Sequence, residues 1–214
     1  MGVVLEHFGE FATGVRVTLW LSVLSFALAL LLGFVVATMR VSPVAPLRAA
    51  GLLYVETFRN IPLTAFFALA VFGLPKVGIL FSFFGFAVMV LGVYTGAFVS
   101  EAVRSGINTV AAGQAEAARS LGLTFGQTLT NVVLPQALRS VVQPIGSLFI
   151  ALVKNSAIAS VFAVGELLST FDSLAERNAA TLPLLLGPAA AYLLMTIPAG
   201  LLTGVVERKA AFKR

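Results

Sequence analysis

Cysteine is absent from the 214 residues, which excludes disulfides, thiol catalysis and cysteine-ligated metal. Histidine occurs once, as His7 between Glu6 and Glu10, and a single ligand of that kind makes no metal site. Charge is scarce too. Charged residues make up 11% of the chain, against about a quarter in soluble domains. Hydrophobic residues make up 59%, and the mean hydropathy is +1.01. That balance excludes an ordinary soluble domain and describes a membrane protein. No GxxxxGK[ST] phosphate loop occurs, so the chain lacks the usual cradle for ATP hydrolysis. Lys and Arg are missing from residues 1–13, so the basic n-region of a cleavable signal peptide is missing with them. The net charge of +5 would suit an acidic partner such as nucleic acid. In so apolar a chain the positives read instead as topology signals, and no nucleic-acid partner is expected.

What is present is a set of long apolar runs. Val17–Met39 is uncharged for 23 residues, enough to cross a hydrocarbon core of about 30 Å. Further spans are expected over 52–73, 77–99, 141–164 and 182–206. The second carries Glu56, Arg59, Asn60 and Pro62, the fourth carries Lys154, and the fifth carries Pro183, Pro188 and Pro198. Prolines are tolerated in spans where neighbouring helices satisfy the freed carbonyls. The expected fold is therefore an all-α membrane protein with five transmembrane helices, forming a single transmembrane domain over 1–214.

Five spans put the termini on opposite sides, and charge chooses which. One set of loops holds Arg40, Arg48, Arg104, Arg119, Arg139, Arg208, Lys209, Lys213 and Arg214, and the other holds Arg16, Lys76 and Arg177. By the positive-inside rule the first set is cytoplasmic. The N-terminus is then outside, the C-terminus inside, and the loop 104–139 cytoplasmic.

That loop is the longest amphipathic passage of the chain. Gln114–Leu121 is rich in helix formers and stops at Gly122, the residue favoured just past a helix end. Thr124 followed by Gln127 is a capping-box pattern that opens a second helix. In it Phe125, Leu129, Val132 and Val133 share one face, and Pro135 marks a stop or kink before the next span. Taken alone, this is an amphipathic segment resting on headgroups. Its order adds more: Glu116-Ala117-Ala118, three residues, Gly122, nine residues, then Val132-x-Leu134-Pro135. This spacing resembles the EAA motif of binding-protein-dependent ABC importer permeases, with valine where isoleucine is usual.

The resemblance implies a type I ABC importer permease fold, in which Glu116, Ala117, Ala118, Gly122, Leu134 and Pro135 form a coupling helix region docked on an ATPase. It implies no cofactor on this chain, with ATP and Mg used by the ATPase. "YVETFRNIPL", "FVSEAVRSGINTVAAGQAEAARSLGL" and "VKNSAIASVFAVGEL" are similar to the polar amino-acid subfamily. "MRVSPVAPLR" with "RNIPL" and "RSGINTV" looks closest to actinobacterial glutamate-uptake permeases. The implied assembly is an ATP-binding subunit dimer, a second and different permease subunit, and an extracytoplasmic solute-binding protein, in the bacterial plasma membrane. The amino-acid substrate would be L-glutamate, with glutamine, aspartate or a cationic amino acid as the alternative.

Ionisable groups within the spans leave two readings open. A lysine at a helix centre costs about 2.5–3.5 kcal/mol on insertion scales, so Lys154 must face protein or water. It could meet a substrate carboxylate, or pair with Glu101 or Glu166. Asn155 and Ser156 can hydrogen-bond across helices. Glu56 and Arg59, at i and i+3, could neutralise each other; alternatively Arg59 and Asn60 line a helix broken at Pro62 and see the substrate. Arg59, Asn60, Lys154, Asn155 and Ser156 are thus the candidate substrate-pathway residues. Glu101 and Arg104 are expected to anchor the loop. Competing classes fare worse: no internal repeat supports a secondary transporter, a channel has no use for the EAA spacing, and an enzyme would need a nucleophile–base or metal set.

Overall fold

In the computed structural model, which describes residues 6–178 and 181–210, every regular element is helical. Helix α1 runs Phe8–Val41, starting well before the expected 17. Hydropathy misses the extra turns because they carry Glu10 and Arg16. Tertiary contacts hold them: Phe11 is buried against Leu167, Phe171, Leu174 and Leu184, and Arg177 donates to Glu10 at 2.8 Å.

The stretch 52–73 is not one straight helix. Helix α2 covers Ala45–Asn60, α3 covers Leu63–Val77, and the two are bent by 106°. The cause is local. Pro62 has no N–H for the Phe58 carbonyl and forces Ile61 into extended backbone, φ −82°, ψ 136°. A π turn at Leu69–Gly73 and a 3₁₀ turn at Leu74–Val77 finish α3. Helix α4, Phe83–Asn108, is capped by Ser82 and continues past the expected end at 99. Its last turns carry Glu101 and Arg104, which stop a hydropathy count but not a helix whose charges are paired.

Short helices α5, Ala112–Ser120, and α6, over 125–140 and interrupted by a π turn at Leu129–Val133, make the loop. Helix α7, Val142–Phe162, changes from α to 3₁₀ at Ser156. Amphipathic α8, Leu167–Asn178, precedes α9, Thr181–Ala210, which keeps Pro188 and Pro198 inside. By length and composition α1, α4, α7 and most of α9 can each cross a membrane, and counting the bent pair α2–α3 as one broken span brings the number to five. Lys213 and Arg214, used in the charge count, lie outside the described residues.

Helices α1 and α4 are parallel neighbours: Leu28 lies against Gly92, and Gly33 against Gly96 and Val99. A Cβ on Gly33 would stand 2.4 Å from a Val99 methyl, so the small residue sets how close the helices come. This parallel pairing follows from the chain returning to its starting side between them through α2 and α3. Phe67, on α3, stacks on Phe162 of α7 at 5.1 Å and joins the main apolar core with Leu21, Val90 and Leu91. Packing without a hydrophobic gain against lipid relies on such close contacts.

Candidate functional site

The residues of the loop over 104–139 build a fixed corner from local chemistry. Gly122 takes φ +85°, which glycine adopts without a Cβ clash. Gly122 N–H donates to the Arg119 carbonyl at 2.9 Å and Leu123 N–H to the Ala118 carbonyl at 3.2 Å, the paired bonds of a Schellman stop. One residue on, Thr124 N–H donates to Gln127 Oε1 at 2.9 Å and Gln127 N–H to Thr124 Oγ1 at 3.3 Å, closing the capping box. Two helices therefore meet at a turn fixed on both sides.

The corner is seated by one face and bare on the other. Ala118, Leu129, Val133 and Ala137 are buried, whereas Glu116, Ala117, Gly122 and Pro135 are exposed and Leu134 is half-buried. Phe125 departs from the expected apolar face: it is 45% exposed at the edge of a cavity of about 330 Å³ beneath the loop. Glu116 lies mid-helix, outside the first turn of α5, so it gains little from the helix N-terminus. Sequence reasoning missed Leu121, which is 84% exposed at the tip. An apolar residue placed just before the αL glycine, off the apolar period, was the available signal.

The second constellation gathers charges around Glu101. Arg40, at the end of α1, donates to its Oε2, and Arg104 donates to its Oε1. Arg59, at the end of α2, reaches to 3.6 Å of Oε2 and lies over the Phe98 ring, 5.5 Å from its centroid. Three helices thus meet on one carboxylate. The expected Glu56–Arg59 pair is not made. Glu56 instead accepts from Asn60 Nδ2 on its carbonyl at 2.7 Å and its carboxylate at 3.1 Å. The bend leaves Arg59 to α4. Tyr54 fixes α2 there, its hydroxyl donating to the Val93 carbonyl at 2.7 Å.

Lys154 pairs with neither Glu101 nor Glu166; it is exposed and in no ion pair among the described residues. Glu101 is occupied by the arginines. Glu166, in the turn after α7, is fully buried, accepting from Ser169 N–H at 2.9 Å, Tyr192 Oη at 3.0 Å and Thr18 Oγ1 at 3.4 Å. Ser156 is buried and donates to the Val153 carbonyl at 2.8 Å, while Asn155 is half-buried. Lys154, Asn155 and Ser156 thus mark the α-to-3₁₀ change, apart from the Glu101 cluster.

The family profile described as "Binding-protein-dependent transport system inner membrane component" matches residues 29–211. The chain belongs to this family. Among relatives, the "Glutamate transport system permease protein GluC" of Corynebacterium glutamicum is 41% identical over 92% of each chain. The "Probable glutamine ABC transporter permease protein GlnM" of Bacillus subtilis is 36% identical over 98% of this chain and 97% of its own. A solved "amino acid ABC transporter with histidines" superposes with TM-score 0.88 at 31% identity, covering 96% of each chain. The MetNI methionine transporter, 20% identical with TM-score 0.81, shares the fold. The protein is accordingly a multi-pass permease subunit of the polar amino-acid ABC importer group, with the type I fold. It is not an enzyme: ATP hydrolysis belongs to a separate subunit. In this permease, Gly106 lets the end of α4 meet the loop, since a Cβ there would stand 2.3 Å from Val141 Cγ1. The charged cluster around Glu101 and the packing of the loop against Gly106 therefore share the last two turns of α4.

Proposed function

We propose that this permease is one transmembrane subunit of an ATP-driven importer for L-glutamate in a bacterial plasma membrane, its N-terminus outside and its C-terminus in the cytoplasm. Its partners are an ATP-binding subunit dimer, a second and different permease subunit, an extracytoplasmic solute-binding protein and the surrounding lipid. ATP and Mg act on the ATPase. The observation that carries the reading is the bare corner at Glu116, Ala117, Leu121 and Gly122, a low-profile tip with an exposed apolar residue on a scaffold lacking a phosphate loop. Leu134 and Pro135 fix the helix behind it. Helix α4 then links the docked corner to the pathway side, where Arg59 and Asn60 end a broken helix and Lys154, Asn155 and Ser156 mark a change of helix type.

Glutamate is favoured by the 41% identity to a glutamate permease; glutamine is the second reading, on the 36% identity to a permease named for it. The test is uptake by proteoliposomes holding the permeases and ATPase, with the binding protein and ATP supplied. L-glutamate uptake that L-glutamine does not compete away supports the first reading. Uptake of glutamine alone supports the second, and uptake of neither removes both.

A further inference from the structure

The Arg59–Glu101 contact is an ion pair held apart. At 3.6 Å it is longer than a hydrogen bond, and Arg59 donates no hydrogen bond among the described residues. The guanidinium keeps its five N–H donors, with 39% of its side chain exposed. Glu101 spends one direction of each oxygen on Arg40 and Arg104, and a carboxylate offers about four. A donor-rich cation and an anion with open acceptor sites therefore stand side by side. Both line a cavity of about 350 Å³, together with Phe98, Ser105, Thr109 and Ser140.

An α-amino acid carries the complementary ends on adjacent bonds. We propose that this cavity is a binding station for the backbone of an α-amino acid, its α-carboxylate on the Arg59 guanidinium and its α-ammonium on the Glu101 carboxylate. Resting on the importer reading, this names the groups by which the pathway recognises its substrate class. The carboxylate takes the guanidinium fork bidentately, the strong geometry for that pair, and Phe98 supports the fork from its face. The ammonium replaces the weak reach of Arg59 toward Oε2 with a charge-assisted hydrogen bond. Arg40 and Arg104 hold Glu101 in place meanwhile, acting as positioning residues. Because only backbone groups are read, the station separates α-amino acids from their deaminated or decarboxylated analogues. It does not separate glutamate from glutamine.

The test is equilibrium dialysis with radiolabelled L-glutamate on the permease–ATPase complex in nanodiscs, without the binding protein. Competitors are L-glutamine, glutarate (no ammonium) and 4-aminobutyrate (no α-carboxylate). In the wild type, glutamine competes within a few-fold of glutamate, and each truncated analogue competes at least about tenfold less well, the value of one charge-assisted hydrogen bond. Arg59→Gln removes the preference for glutamate over 4-aminobutyrate. Arg59→Lys keeps part of it, having charge without the fork. Glu101→Gln removes the preference over glutarate; should it not assemble, the two Arg59 variants decide. Glutarate competing as well as glutamate, no binding up to the millimolar range, or an unchanged analogue ranking in Arg59→Gln overturns the proposal. If the reconstituted importer still takes up amino acids in those cases, the importer reading stands and only the station falls. If it takes up none, the importer reading has failed.

Discussion

Glu166→Leu should cost much of the permease's stability without touching the coupling corner. The carboxylate is fully buried and collects donors from three elements: Thr18 on α1, Ser169 N–H at the start of α8 and Tyr192 on α9. Leucine leaves the Tyr192 hydroxyl and the Ser169 N–H without acceptors, at about 1–3 kcal/mol each. Thr18 loses its acceptor too, across the longest of the three bonds at 3.4 Å, while its oxygen still accepts from Leu167 N–H at 3.1 Å. The sum is on the order of 3–5 kcal/mol, or roughly 10 °C in apparent Tm for a chain of this size. Glu166→Gln keeps one acceptor oxygen and should lose about half as much.

The pH dependence adds a second readout. Burial pushes the Glu166 carboxyl above its ordinary range, in the face of hydrogen bonds from Leu168 and Ser169 N–H. A raised folded-state value means the folded chain holds the proton more tightly. Its contribution is complete below the ordinary carboxylate range and is lost as pH rises through the raised value. The gap between wild type and Glu166→Gln should therefore be widest in acid and narrow as pH rises. Size-exclusion thermostability of the detergent-solubilised complex across a pH series measures both. A Leu variant melting with the wild type, or a gap that widens with pH, refutes the reasoning.

Glu116→Lys and Gly122→Asp should leave the permease inserted but abolish binding-protein-stimulated ATP hydrolysis; reconstituted ATPase at the wild-type rate would remove the docking role. Gly122→Asp also places a Cβ at φ +85°, costing about 1–2 kcal/mol, so Leu121→Ser serves as a variant free of strain and should weaken the same coupling. Cysteines introduced at Ser42 and Thr124 should be labelled only from the cytoplasm and one at Ser173 only from outside, with no native cysteine to remove; labelling of position 124 by an impermeant reagent in intact cells contradicts the orientation. Lys154→Met should not reduce accumulation of the permease, because Lys154 is exposed and in no ion pair among the described residues. Its loss should appear in pairing with the second permease or in gating, read as co-purification yield and then vesicle uptake. Normal yield and basal ATPase with amino-acid uptake alone lost would instead assign Lys154 to the substrate.

The features legible in the sequence are those whose physics is local. Low charge and long apolar runs gave the membrane class, because a span must satisfy its own backbone and face lipid. The backbone corner at Gly122 was legible to the residue, since a Schellman stop at Gly122 and a capping box at Thr124 are decided within a few positions of chain. The break before Leu63 was signalled by Pro62, though its angle was not. Tertiary structure alone decided where the charges went. Arg40 and Glu101 are 61 residues apart, and Thr18 and Glu166 are 148 apart. The i, i+3 spacing of Glu56 and Arg59 suggested a pair that the bend between α2 and α3 then withheld. Hydropathy ended α4 at the first charge, where packing against Arg40 carried the helix onward to Asn108. Sequence spacing fixes which groups share a helix face; which face meets which across the bundle is set by the close approach of Gly33, Gly96 and Gly106 to their neighbours, and that is a property of the packed whole.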